Sequence, residues 1–166
     1  MLRSSLVALL ALAAIPAHAQ STCDSIANEP VHYDVVFERD IQPYFGGVVS
    51  MTIPRCETCH VSGSAGGMNL APANVRLELL GADGNGEPSL NYPSYRRIVP
   101  ERPFASLVYV RIHCDDSPPG RMPPGANGSM DPDFLRFQAL VHDWIALGAI
   151  MVDTDRRFIG SFESIR

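Results

Sequence analysis

Beyond its N-terminal segment this chain has no run long and apolar enough to cross a bilayer as a helix, which takes about 20 residues, so no stable membrane insertion of the mature chain is expected. It also lacks any excess of positive charge. Thirteen basic side chains against 18 acidic ones leave a formal charge of −5. An acidic surface argues against nucleic acid or an anionic membrane as partner, and suits a protein with a basic docking face. No internal repeat is present, and only four cysteines occur, Cys23, Cys56, Cys59 and Cys114.

Residues 1–19 have the pattern of a cleaved signal peptide. Arg3 supplies the positive start, Leu6 to Ile15 form a short apolar stretch, and Ala17-His18-Ala19 offers a cleavage site before Gln20. Export, to the periplasm or beyond, is therefore expected. Loss of Arg3 with the signal takes the formal charge from −5 to −6. What remains fits one domain, 20–148, with a C-terminal extension, 149–166.

Cys56-Glu57-Thr58-Cys59-His60 carries the chemistry. Two thiols separated by two residues and followed by histidine form the attachment pattern of a c-type haem. In a helical turn both sulfurs stand about one turn apart on one face, within reach of the two vinyl groups of one porphyrin edge. His60 is then placed to bind the iron. A redox dithiol would need a thioredoxin-like βαβ context, which the flanks Ile53-Pro54-Arg55 and the following Gly/Ser run do not provide. A zinc site would need a second close Cys/His pair, and only His113-Cys114 is on offer. The motif occurs once, so a multihaem array is not expected. Haem attachment of this kind takes place outside the cytoplasm, which agrees with the export signal. Cys23 and Cys114 are then left over. In an oxidising compartment they are expected to pair, the alternative being two separate buried thiols.

Asp40 to Phe45 reads as a short helix start capped by Asp40, with Phe37, Ile41 and Phe45 on one face. Val75 to Gly81 is strand or short helix, Gly81 to Asn91 a turn-rich loop, and Ser106 to His113 a short core helix. Ser117 to Met130 is too rich in Pro and Gly for a regular element. Asp131-Pro132 opens the clearest helix, with Phe134, Phe137, Leu140/Val141 and Trp144/Ile145 at three- and four-residue steps and Gly148 as its stop. Haem iron held by one histidine needs a sixth ligand in an electron carrier, usually Met or a second His. The candidates are Met51, Met68, Met122, Met130, Met151, His32, His113 and His142. Met122 leads by its setting, because Arg121-Met122-Pro123-Pro124 puts a thioether on a proline-stiffened loop before a helix. His113 is next.

Taken together, the chain resembles class I monohaem cytochrome c domains, and more narrowly the planctomycete-type c-type cytochrome family. The resemblance runs through Phe37, Asp40-Ile41-Gln42-Pro43, Cys56 to His60, Gly67-Met68-Asn69-Leu70, Val99-Pro100, Pro103, Ser106-Leu107, Arg121-Met122-Pro123-Pro124 and Trp144-Ile145 with Gly148-Ala149. It implies a mainly α, cytochrome c-like fold wrapped around one covalent haem, with long Pro/Gly-rich loops. Cys56 and Cys59 would be the thioethers, His60 the proximal and Met122 the distal iron ligand. A helix before the motif would cross the C-terminal helix beside the haem. The His60 ring N–H would find a carbonyl near Ala71–Pro72. The implied activity is electron transfer, not catalysis, with an oxidase, reductase or dehydrogenase as redox partner. The alternatives are a haem subunit of a larger redox complex, or a peroxidase or gas sensor with a labile sixth ligand. Cys23, Cys114 and the segment after Gly148 lie outside the resemblance.

Overall fold

The structure, a computed structural model, describes residues 23–47, 55–61, 65–114, 120–124 and 131–152. The signal segment, Met51, Met130 and residues 153–166 of the extension lie outside these. The longest helix, α5 (Pro132–Ala146), starts where the sequence places it. The Asp131 carboxylate accepts from Asp133 N at 3.0 Å and Phe134 N at 3.3 Å, which satisfies two of the donors a helix start leaves open. Phe134, Phe137, Val141, Trp144 and Ile145 form its buried face. Gly148 follows at φ +97°, the left-handed conformation that ends helices.

The helix before the motif begins earlier than expected. Phe37–Ile41 winds as a π-helical turn and runs directly into α1 (Gln42–Phe45). Asp40 is not the cap but lies inside the turn. Its Oδ2 reaches back to accept from Val36 N at 2.8 Å, because Val36 occupies the cap position and has no side-chain acceptor. The next open donors, Phe37 N and Glu38 N, are taken by the carbonyls of Ile150 (3.0 Å) and Met151 (3.1 Å). Trp144 Nε1 also donates to Ile150 O, at 2.8 Å. The first residues past Gly148 are thus part of the core, with Ala149 and Met151 buried. The rings of Phe37 and Trp144 meet at 5.2 Å, and those of Tyr44 and Phe137 at 5.1 Å, so this N-terminal helical segment packs on α5.

Between them lie α2 (Cys56–His60), α3 (Val75–Leu80) and α4 (Leu107–His113), the last preceded by a 3₁₀ turn, Pro103–Ala105. α3 settles the ambiguity of Val75 to Gly81. Val75, Leu79 and Leu80 are buried while Leu77 is 57% exposed, which is a helical and not an alternating pattern. Ser106 Oγ ties the start of α4 to its approach, accepting from Val99 N at 2.8 Å and bonding Arg102 O at 3.0 Å. No sheet strand occurs among the described residues, only isolated bridge pairs, so the fold is mainly α as expected. No helix among them is long and apolar enough to cross a membrane.

One bridge pair joins Cys23 to Cys114, and these two cysteines form a disulfide. Asp24 N donates to His113 O at 2.9 Å, so the N-terminal arm starts fastened to the end of α4. Further along, His32 N donates to Asp143 Oδ2 of α5 at 2.7 Å.

Candidate functional site

α2 is a single turn, too short to be stable alone, and its flanks hold it. Ala65 N donates to Cys59 O at 3.2 Å and Leu70 N to His60 O at 2.7 Å, folding the segment 65–70 back on the motif. Gly66 and Gly67 both have φ near +60°, the left-handed region. At Gly67 a Cβ would come within 2.5 Å of Leu90 Cδ2, an exposed side chain that would have to move aside, so it is the positive φ that favours glycine there.

This return sets the His60 ring. Its Nδ1 lies 2.9 Å from Ala65 O. A carbonyl only accepts, so Nδ1 carries the proton and Nε2 of the neutral ring keeps its lone pair. Burial pushes the His60 pKa below its ordinary value. The Ala65 bond opposes this, and the charges of Arg111 and Arg97 add to it. A neutral imidazole with one nitrogen fixed and the other bare is the form that binds a metal. The fixing carbonyl is Ala65, not the Ala71–Pro72 region. Ala65 lies only five residues past His60, so the chain is already back at the ring before it reaches Ala71.

Cys56, His60, Met68 and Met122 all line one cavity of about 730 Å³, its open mouth included. Its walls are largely apolar. Phe45 of α1, Leu79 of α3, Leu107 and Ile112 of α4, and Phe137 of α5 contribute, so every helix reaches it. Burial pushes the Cys56 thiol up to about 11, keeping it protonated. Cys59, three residues on, is exposed and is not part of the wall.

Two arginines that the motifs did not indicate also line the cavity. Arg97 is buried. Its Nη1 donates to Glu78 O at 2.8 Å and pairs with the Glu78 carboxylate, and its Nη2 donates to Gly67 O at 2.9 Å. Arg111 Nε donates to Gly120 O at 3.1 Å, and burial lowers its pKa from the usual arginine value. Asn91 and Tyr92 line the cavity as well, adding polar groups to an otherwise apolar wall. Nothing local in the sequence marks these residues. They come from a loop and a helix that only the tertiary fold brings together.

Of the other sixth-ligand candidates, Met51 and Met130 lie outside the described residues, and His113, His32, His142 and Met151 are engaged elsewhere. His113 is buried with Nδ1 3.1 Å from Gln138 Oε1, and its ring stacks on Tyr109 at 4.9 Å. His32 and His142 both bond Asp143. Met151 is buried in the core. Compared with protein-family models, curated proteins and solved structures, the chain matches none.

Proposed function

We propose that this protein is a periplasmic or otherwise exported monohaem c-type cytochrome that transfers electrons. The observation that carries the reading is convergence. Cys56, His60 and Met122, singled out by two motifs far apart in the sequence, line the same mostly apolar cavity. The donor set fits haem c: a half-buried protonated thiol for one thioether, a neutral imidazole with a bare Nε2, and a thioether sulfur. Cys59, one turn from Cys56 and exposed, would take the second vinyl group. Arg97 and Arg111 would meet the carboxylates of such a group. Bound haem supplies the one-electron Fe²⁺/Fe³⁺ couple.

The chain's own residues then have defined tasks. Ala65 holds the His60 tautomer. The apolar wall keeps water from the metal. Met122 would supply a second protein ligand to the iron, a thioether, which favours electron transfer over substrate binding and raises the reduction potential. Met68 is the competing thioether.

Visible and near-infrared spectra of the exported full-length protein test this. A weak far-red band in the oxidised form, lost in Met122→Ala and kept in Met68→Ala, is the expected result. A high-spin spectrum with rapid CO binding in the unaltered protein would overturn the carrier reading and favour a peroxidase or gas sensor.

A further inference from the structure

The structure assigns a positioning role to Asp24 and Arg121: together with the Cys23–Cys114 disulfide they form a clamp that holds Met122 at the cavity. This deepens the reading above and rests on it.

Arg121 stands immediately before Met122, yet its side chain turns into the protein and is only 5% exposed. Its Nη1 pairs with Asp24 Oδ2, and its Nη2 donates to His113 O at 3.0 Å. The Asp24 carboxylate is itself 7% exposed and also accepts from Gln138 Nε2 of α5, at 2.6 Å. Gln138 is completed by His113 Nδ1 on its Oε1. The backbone around Arg121 is pinned separately to α4. Met122 N donates to Arg111 O at 2.6 Å, and Gly120 O accepts from Arg111 Nε.

Asp24 is adjacent to Cys23, whose disulfide to Cys114 fastens that residue pair to the end of α4. The N-terminal arm, α4, α5 and the methionine loop thus meet at one buried ion pair. A buried guanidinium that loses its carboxylate is left uncompensated, and the way to relieve it is to swing outward. Because Met122 is the next residue, that movement would carry the sulfur with it. The clamp therefore bears on the Met122 side of the cavity.

Asp24→Asn keeps the shape and removes the charge. Two readouts are taken on exported full-length protein: hydrogen exchange of the Met122 amide, which needs no haem, and the far-red band together with CO binding. The expected result is exchange at Met122 faster by about tenfold or more. The band should weaken and CO binding appear, while the mass still shows attached haem. Ile145→Val, a loss of core packing away from the loop, should leave both readouts unchanged. Where Asp24→Asn does not fold, reduction of the disulfide in the unaltered protein by a phosphine takes its place and should speed the same amide. Unchanged exchange and an intact band in Asp24→Asn, or unchanged exchange after reduction, would overturn the clamp. Unaltered protein that carries no haem would instead contradict the proposed function, and the exchange of Met122 alone would then decide the clamp.

Discussion

The two sides of the cavity are held in opposite ways. On the side of Cys56 and His60 the support is local. A single turn with no buried residue is closed by a return over two left-handed glycines, and the Ala65 carbonyl fixes the ring. On the side of Met122 the support is long-range. No helix carries the residue. A disulfide spanning 91 positions and a buried ion pair between Asp24 and Arg121 meet beside it. Chemistry that needs two groups one turn apart is met by a short motif. A side chain on an irregular loop needs distant parts of the chain to hold it.

The contrast can be broken in several places. The largest effect is expected from Cys56→Ser combined with Cys59→Ser, which should abolish covalent haem altogether in exported protein, as read by intact mass. Next is the shared foundation. Trp144→Ala removes a fully buried ring and its bond to Ile150 O, and should cost about 3–5 kcal/mol in denaturant unfolding. Replacing Cys23 and Cys114 by alanine should cost about 2–4 kcal/mol by the same measurement. That double variant should still attach haem, since α2 does not depend on the disulfide.

The smallest effect is on pH. Burial, set against a bond to Gln138, lowers the His113 pKa in the folded protein. The unfolded chain therefore takes up the proton first, and the stability His113 provides is present above its ordinary value near 6.5 and lost as pH falls below it. Unfolding midpoints compared on the two sides of that pH should show the loss, and His113→Gln should flatten the slope. An unchanged slope in that variant would contradict the assignment.

The parts of this molecule that rest on local chemistry were legible in the sequence. α5 was, because its cap, apolar stripe and terminal glycine are consecutive signals. The Cys56–His60 turn was, because its spacing is the signal. The pairing of Cys23 with Cys114 was one of two alternatives for the cysteines the motif leaves over, and the fold brings them together across 91 positions. What was not legible depends on distant partners. The π-helical turn at Phe37 is completed by the carbonyls of Ile150 and Met151. Arg97 and Arg111 reach the cavity only through the fold, and the carbonyl on His60 was misplaced because the chain is back at the ring by Ala65. The Asp24–Arg121 pair joins residues that no pattern connects.

The central claim is that the cavity belongs to a haem bonded to Cys56 and Cys59. Intact and peptide mass spectrometry of the full-length protein, exported by a host that matures c-type cytochromes, tests it most directly. The account expects one haem on the peptide containing Cys56 and Cys59, with neither thiol open to alkylation. A peptide without the adduct, alkylated at both positions, would contradict it.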